Sequence, residues 1–313
     1  MRILSSDAVA QALDYPSLVE ALRAIFRDGA EAPTRHHHHV PSDAGSDGTL
    51  LLMPAWQRDR YLGVKVATVF PDNPSMGQPS VQANVLLNDG RTGTPLALVA
   101  GQPLTNRRTA AASALAADYL ARKDASKLLM VGTGAMAPEM VRAHCAVRAI
   151  DQVRVWGRTP EKARTLADTL AAEGLSAEPT DDLEGGVAWA DTISCATMST
   201  EPLVRGDWLQ RGQHVDLMGA FKPTMRETDD RAVQVADVFC DTFDGALKEG
   251  GDLAQPLESG ALTRDDVLAD LFALTRGAHP GRTSDDQITL FKSTGAALED
   301  LAAAILAYER SGD

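Results

Sequence analysis

The chain has few cysteines, no long apolar run and a deficit of positive charge. Its three cysteines, Cys145, Cys195 and Cys240, show no C-x-x-C spacing, so we expect neither a disulfide framework nor a zinc site. This cysteine usage is typical of a protein in a reducing compartment. No stretch approaches ~18 consecutive apolar residues, and the N-terminal residues show no signal-peptide pattern, which disfavours membrane insertion and secretion. The 43 acidic residues against 30 basic ones disfavour nucleic-acid binding. We therefore expect a cytoplasmic protein without a nucleic-acid or membrane partner.

Along the first third of the chain, the spacing of apolar residues changes from a helical to a strand-like pattern. Residues 14–26 carry apolar side chains at helical spacing after Asp14, a capping residue type. Four short apolar or alternating runs lie between Thr49 and Ala100, separated by the turn-forming segments PDNPSMGQP and NDGRTG. This pattern predicts an antiparallel meander. An alanine-rich helix is predicted from Thr105 to Arg122.

Strand and helix patterns alternate in the rest of the chain. The strand-like runs are KLLMVG, QVRVWG, ADTISCAT, HVDLMG and ADVFCDT, and the first two are each followed by a helical segment. Such alternation is typical of an α/β fold with a doubly wound parallel sheet. The last segment, ITLFKSTGAALEDLAAAILAYER, predicts a strand and a helix that return to the first domain. We therefore predict one domain from residues 1–120 plus 290–313, and a second from 121–289 that binds a dinucleotide.

The segment Gly132-Thr-Gly134-Ala-Met-Ala137 is a G-x-G-x-x-A turn between a strand and a helix. The first glycine permits the tight turn, the second allows the backbone to approach a pyrophosphate, and the small third residue lets the helix pack on the strand. Glycine turns also join strands to helices for packing alone. The strand, turn, helix and strand in sequence favour dinucleotide binding here.

The end of the next strand indicates which dinucleotide is bound. NAD-specific folds place an acidic residue about 20 residues after the glycine turn, whereas this chain has Gly157, Arg158 and Thr159. Arginine can form a bidentate contact with a 2′-phosphate, and no carboxylate is present there to repel it. The alternative is that Arg158 is a solvated surface charge. We expect NADPH or NADP as cofactor, with NADH or NAD possible.

Three of the cations that precede the dinucleotide turn are candidates for a substrate site. Arg107 and Arg108 fall in the first turn of the predicted helix, where the helix dipole disfavours cations, so a bound carboxylate would compensate them. A surface ion pair explains the same pattern equally well. Taken alone, the alternation around Lys65 in GVKVAT predicts a lysine on the solvent-exposed face of a strand. If that face lines a cleft, Lys65 can bind a carboxylate or transfer a proton.

Four consecutive histidines, His36 to His39, suggest a metal site at first sight. On an extended segment their side chains would point to alternating sides, which suits a closed site poorly. We interpret the run as a histidine-rich loop and predict no metal.

Several segments together resemble the ornithine cyclodeaminase/mu-crystallin family. They keep their order from about residue 33 and include GVKVATVFPDNP, GRTGTPLALVAGQPLTNRRTAAASALAADYLAR, VGTGAMA, VWGRTPEKA, ADTISCAT, GQHVDLMGAFKPTMRETD and GRTSDDQITLFKSTGAALEDLAAA. The resemblance implies a central Rossmann domain and an α+β substrate and dimerisation domain, built from the N-terminal part and the C-terminal helix. It also implies a homodimer that acts on a small imino or amino acid.

The resemblance assigns roles to particular residues. Lys65 and Arg108 are implied as catalytic, and with Arg35 they would hold the substrate carboxylate. Four further substrate contacts are implied: Ser80, Gln82, Ser293 and Gly295. The implied cofactor surface comprises Gly132, Gly134, Ala135, Met136, Arg158, Thr159, Ala196, Thr197 and Met218.

One turn departs from part of the family. Ornithine cyclodeaminases and the related archaeal alanine dehydrogenases carry an acid two positions after the glycine that corresponds to Gly219, where this chain has Phe221. Phenylalanine cannot act as a base, and GAFKPTMRE resembles the branch that reduces cyclic ketimines such as pyrroline-2-carboxylate and piperideine-2-carboxylate. Asp216 could substitute, although its strand position favours a structural or cofactor contact.

The expected function is therefore NADPH-dependent reduction of a cyclic ketimine to the L-amino acid. Two alternatives stay open: an NAD-dependent ornithine cyclodeaminase that forms L-proline and ammonia, and a non-catalytic NADPH-binding protein of the mu-crystallin type.

Overall fold

The computed structural model describes residues 1–312 as fourteen strands, eleven α-helices and three short 3-10 turns. The helices are α1 Ser6–Ala12, α2 Tyr15–Asp28, α3 Gly101–Leu120, α4 Ala137–Val147, α5 Pro160–Ala172, α6 Leu183–Trp189, α7 Asp230–Val235, α8 Phe243–Glu249, α9 Gly251–Ser259, α10 Leu271–Thr275 and α11 Ala297–Arg310. The strands are β1 Arg2–Leu4, β2 His36–Val40, β3 Gly48–Gln57, β4 Tyr61–Val69, β5 Val81–Asp89, β6 Pro95–Ala100, β7 Lys127–Val131, β8 Gln152–Trp156, β9 Ala177–Thr180, β10 Thr192–Cys195, β11 His214–Leu217, β12 Asp237–Cys240, β13 Val267–Asp270 and β14 Thr289–Lys292.

The chain divides into two compact units. The first comprises residues 1–108 and the segment that begins at Ala296, and the second comprises residues 109–295. These divisions differ from the sequence-based boundaries at 120 and 290. The first division falls inside α3, because this helix is continuous from Gly101 to Leu120 and contributes its initial turns to the first unit.

The first unit contains a six-stranded sheet in the order β1-β6-β5-β4-β3-β2. Strands β2 to β6 pair antiparallel with their neighbours, which confirms the meander, while β1 adds a parallel edge strand that the sequence did not reveal. Helix α11 packs against α2 and β4. The histidine run forms β2 rather than the predicted loop, since its backbone pairs with β3 from His36 to Val40.

Helix α3 begins earlier than the sequence suggested, at Gly101 instead of Thr105. A Cβ at Gly101 would lie 2.4 Å from the carbonyl carbon of Ala83, so glycine permits the close approach at the helix start. Pro103 follows in the first turn, where a proline ring is tolerated. Arg107 and Arg108 therefore do not lie in the first turn, and the predicted conflict with the helix dipole there is wrong.

The second unit contains an eight-stranded sheet in which every strand is parallel, in the order β13-β12-β14-β11-β10-β7-β8-β9. Leu128 to Val131 of β7 are fully buried, as expected for a strand covered on both faces. The chain runs outward from β7 to β9 and then returns to β10 on the other side. This confirms the doubly wound α/β fold and creates a switch point at the carboxyl ends of β7 and β10, where such sheets bind ligands.

Among residues 1–312, no helix combines the length and the apolar character needed to cross a bilayer.

Candidate active site

The turn after β7 has the backbone geometry of a dinucleotide-binding loop. Gly132 has a φ of +124°, and a Cβ at this position would lie 2.7 Å from the carbonyl oxygen of Ala196, so only glycine fits without strain. A Cβ at Gly134 would meet no heavy atom of the described chain within 4 Å. Helix α4 begins three residues later without a side-chain cap on its first N–H groups. The turn thus presents open space and the positive end of a helix dipole, which favour a phosphate.

A cavity of ≈ 470 Å³ lies at the switch point. Its walls are the segments that follow β7, β8, β10 and β11. All nine residues implied for the cofactor surface line it: Gly132, Gly134, Ala135, Met136, Arg158, Thr159, Ala196, Thr197 and Met218. Their individual contacts with a cofactor stay predictions, but the fold brings them to one place.

One side of this cavity is basic. Arg158 is exposed there, and Lys162, which the sequence analysis missed, joins it from the first turns of α5. Lys162 follows Arg158 by four residues, so the predicted helix already carried the information needed to find it. Within the described part of the chain, the lining contains no carboxylate. Two cations without an acid suit a phosphate on the adenosine ribose better than its bare hydroxyl groups.

The turn after β11 contributes Phe221 to the cavity wall. This side chain is 47% exposed, and the preceding Ala220 has a φ of +46°. Asp216, the other candidate acid, is fully buried in β11 and accepts a hydrogen bond from Ser194 at 2.7 Å, with His144 Nε2 at 3.1 Å. Asp216 therefore has a structural role and does not replace the acid that is absent at Phe221.

In the first unit, Lys65 and Arg108 are brought together by a carboxylate. Lys65 Nζ lies 2.6 Å from Asp300 Oδ2, and Arg108 Nε donates to Asp300 Oδ1 at 2.9 Å. Arg108 also donates to Glu299 Oε2 at 2.6 Å. Lys65 is only 5% exposed, because the alternation of β4 places it on the face that α11 covers. The prediction that Lys65 faces solvent is therefore wrong. Arg108 pairs with buried acids, and not with a surface acid.

The electrostatics of this cluster make Lys65 a group that can exchange a proton near neutral pH. Burial lowers the pKa of Lys65 to about 8, and Arg108 and Arg35 act in the same direction against the opposing effect of Asp300. Burial also disfavours charge on Arg108, but Asp300 and Glu299 raise its pKa above the usual value. A fixed guanidinium beside a titratable ammonium can bind a carboxylate and supply a proton.

Glu299 and Asp300 were not among the residues predicted from sequence. They occupy the first turn of α11, where the helix dipole favours acids. The available signal was a pair of acids inside the apolar segment GAALEDLAAA, since buried carboxylates require cationic partners. Nothing in that segment identifies Lys65 and Arg108 as those partners.

The other implied substrate contacts are more scattered. Arg35 is half-buried and influences Lys65 electrostatically. Gln82 pairs with Thr68, whereas Lys65 pairs with Val85, so strand alternation points Gln82 to the opposite face of the sheet from Lys65.

Three further implied contacts are engaged locally. Ser80 precedes β5 and accepts the N–H of Phe70 through its carbonyl oxygen. In the second unit, the Ser293 hydroxyl and the Gly295 N–H both donate to Asp241 Oδ2, at 3.2 and 2.7 Å. Their contact with substrate, like that of Gln82, stays a prediction.

Residues 2–313 match the sequence profile of the ornithine cyclodeaminase/mu-crystallin family. The chain belongs to this family. It is 40% identical over 289 residues to the delta(1)-pyrroline-2-carboxylate reductase of Paracoccus denitrificans, covering 89% of this chain and 90% of that protein. The membership predicted from the quoted segments is thereby confirmed.

Solved structures of family members have the same fold. The Thermococcus litoralis delta(1)-pyrroline-2-carboxylate reductase, in complex with NADH and L-proline, superposes with a TM-score of 0.92 at 33% identity and covers 99% of this chain and 97% of that one. An archaeal alanine dehydrogenase dimer with bound NAD gives a TM-score of 0.90 at 30% identity, covering 99% and 95%.

Proposed function

We propose that this family member is an NADPH-dependent reductase that converts a cyclic 2-imino acid, of the pyrroline-2-carboxylate or piperideine-2-carboxylate type, into the L-amino acid. The observation that carries the proposal is Phe221 in the cavity wall, at the position where ornithine cyclodeaminases have an acid. Relatives named delta(1)-pyrroline-2-carboxylate reductase, at 40% and 35% identity, support the same reaction.

The cofactor site is the cavity at the switch point. The turn with Gly132 and Gly134 and the uncapped start of α4 suit a pyrophosphate, and Arg158 with Lys162 suits a 2′-phosphate. When bound, the reduced nicotinamide supplies a hydride to the imine carbon. NADH fits the same turn but leaves the two cations without a phosphate, so NADPH is the preferred cofactor.

The substrate site is the cluster around Lys65 and Arg108. Arg108 is held in one orientation by Asp300 and Glu299, so its remaining donors and Arg35 can bind the substrate carboxylate. Lys65 is protonated at physiological pH, but its pKa lies close to that pH. Lys65 therefore protonates the substrate nitrogen and becomes neutral, which makes the C=N bond a better hydride acceptor.

Phe221 also argues against cyclodeamination. The reaction needs a base to free the amine of ornithine and a partner for its second nitrogen, and Phe221 supplies neither. The purified protein should oxidise NADPH with pyrroline-2-carboxylate or piperideine-2-carboxylate and release no ammonia from ornithine with NAD. Ammonia and proline from ornithine, with no NADPH loss in the imino-acid assay, would overturn the proposal in favour of the lyase. Tight NADPH binding without either activity would indicate the mu-crystallin type.

We also propose that the protein is a homodimer. The face of the first sheet opposite Lys65 carries apolar side chains that are partly or largely exposed, and we call this the open sheet face: Ile3, Trp56, Leu62, Val64, Val66, Leu86 and Leu98. Ile3 is 75% exposed and Val66 40%. An apolar face of this extent favours association, and a second copy is the partner because the related archaeal alanine dehydrogenase is a dimer.

The proposed location is the cytoplasm. Cys195 and Cys240 are buried free thiols and Cys145 is a partly buried one, as expected in a reducing compartment. Burial raises the pKa of all three thiols, so they are inert at neutral pH.

A further inference from the structure

Thr197 forms part of the cavity wall, and a buried acid fixes its orientation. The Thr197 N–H and hydroxyl both donate to Glu227 Oε1, at 2.7 and 2.8 Å. With its two donors turned toward Glu227, Thr197 presents its methyl group to the dinucleotide turn. A Cβ at Gly132 would lie 3.3 Å from Thr197 Cγ2, so the methyl group packs directly against that turn. The position of Glu227 therefore determines which groups of Thr197 a bound cofactor can contact.

Glu227 also lies under the second wall of the cavity, the turn at Gly219. A Cβ at Gly219 would lie 2.2 Å from the carbonyl oxygen of Thr197 and 2.4 Å from Glu227 Oε1. The Glu227 N–H donates to Asp252 Oδ1 at 2.7 Å, and Asp252 Oδ2 accepts from Lys292 at 2.9 Å. Lys292 donates in turn to the Gly219 carbonyl oxygen at 2.5 Å. Thus one hydrogen-bonded chain of fully buried side chains ties together both cavity turns.

The charges of this hydrogen-bonded network do not balance if both of its acids are ionised. Lys292, from β14, is paired with Asp252, from α9, whereas the Glu227 carboxyl group is bonded to the neutral donors of Thr197. Cys195, at the end of β10, is a further titratable group that interacts electrostatically with Glu227. Within residues 1–312, Glu227 Oε2 has no hydrogen-bond partner. Burial and the neighbouring Asp252 raise the pKa of Glu227 to about 8, against the opposing effects of Lys292 and of the two hydrogen bonds from Thr197.

We propose that Glu227 is a positioning residue for the nicotinamide cofactor, and that it holds the Thr197 and Gly219 turns in its protonated, neutral form. In this form Oε1 accepts both Thr197 donors and no uncompensated charge is buried beside Asp252. Ionisation would place a second negative charge against Asp252 and disturb both turns, because two like charges in a buried site repel strongly. The inference rests on the proposed cofactor site, and it predicts cofactor binding that weakens in alkaline solution.

The test measures NADPH binding to the full-length protein by fluorescence titration from about pH 6.5 to about pH 9.5, without substrate. For the wild type, the dissociation constant should be constant below pH 8 and rise by about tenfold per pH unit well above it. Glu227→Gln keeps the acceptor oxygen and cannot ionise. This variant should bind within about threefold of wild type at neutral pH and lose the alkaline weakening. Glu227→Ala leaves the Thr197 donors unsatisfied and should bind about tenfold more weakly at every pH.

Two variants of Thr197 separate hydrogen bonding from shape. Thr197→Ser retains the hydroxyl donor and should keep the pH dependence of the wild type. Thr197→Val retains the methyl groups but loses that donor, so its affinity should fall toward that of Glu227→Ala.

The outcomes distinguish this inference from the function on which it depends. A wild type that binds neither NADPH nor NADH would refute the cofactor site itself. A wild type that binds NADPH equally at all pH values, or a Glu227→Gln variant that keeps the alkaline weakening, would overturn the role of Glu227 alone. If Glu227→Ala does not fold, the wild-type profile and the Glu227→Gln variant still decide the question.

Discussion

Lys65 shows how neighbours determine the chemistry of a single residue. An exposed lysine is almost fully charged at neutral pH, whereas burial brings the pKa of Lys65 down to about 8 and Asp300 prevents a larger fall. Its ammonium is oriented by a 2.6 Å ion pair. Asp300 therefore has two effects, since it fixes the direction of Lys65 and keeps it protonated under working conditions.

This environment predicts the pH dependence of turnover. In the proposed mechanism the charged form of Lys65 donates the proton, so kcat/KM should decline above about pH 8, as Lys65 loses that proton. Asp300→Asn removes the charge that raises the pKa of Lys65 and should shift the decline to lower pH. Glu299→Gln is the matched control, because Glu299 contacts Arg108 and not Lys65. Initial rates across the pH range measure both effects. A decline in Asp300→Asn that begins at higher pH than in the wild type would contradict this role of Asp300.

A second single-residue prediction concerns cofactor choice. Arg158→Ala should raise the KM for NADPH roughly tenfold, because a hydrogen bond to a charged group contributes about 1.5–3 kcal/mol and exposure reduces that value. The KM for NADH should change little, since NADH has no 2′-phosphate. Steady-state kinetics with both cofactors test this, and an equal loss with NADPH and NADH would show that Arg158 does not bind that phosphate.

At the level of elements, the β7–turn–α4 unit assigns different tasks to its two glycines. Gly132 is needed by the fold, because its φ of +124° and its contact with Ala196 exclude a side chain. Gly134 adjoins open space, so it is needed only by a ligand that approaches the backbone closely. The start of α4 adds the positive end of a helix dipole beside both glycines, which favours a phosphate.

These tasks can be separated by substitution. Gly132→Ala should destabilise the protein by about 1–3 kcal/mol, the cost of a strained backbone, and should also weaken cofactor binding. Gly134→Ala should leave the thermal midpoint nearly unchanged while weakening NADPH and NADH alike. Thermal unfolding and cofactor titration of the two variants make the comparison. If Gly134→Ala binds both cofactors as well as wild type does, the pyrophosphate does not pass over this turn.

At the scale of the whole molecule, the proposed dimer can be tested on the open sheet face. Val66→Asp places a carboxylate on this face and should raise the dimer dissociation constant about 100-fold or more, because burying an unpaired charge is costly. The matched control is Leu268→Asp in β13, an equally exposed apolar position in the other unit, with 44% exposure against 40% for Val66. Sedimentation velocity should show monomers only for Val66→Asp. A wild type that is monomeric, or a Val66→Asp variant that stays dimeric, would exclude this face as the interface.

Much of the fold could be predicted because its determinants are local. The runs that form β3 to β6 alternate in sequence and are separated by turn residues, so the meander follows from short-range pattern. The start of α3 differs from the sequence-based prediction, because the helix begins where the missing side chain of Gly101 permits a close approach to Ala83 on another element. Likewise β1 is a three-residue segment that becomes a strand by pairing with β6, 95 positions away between Arg2 and Ala97.

The sequence by itself determined the dinucleotide turn, the parallel α/β unit and the family, because each depends on residues that are close together along the chain. Only the tertiary structure decided how the charges are paired. Asp300 meets Arg108 across 192 positions, and Asp252 meets Lys292 across 40. A buried charge is acceptable only beside a partner, yet the chain carries many acids and many bases, and nothing local states which of them meet. The lowered pKa of Lys65 follows from those pairings, and the neutral form proposed for Glu227 depends on them.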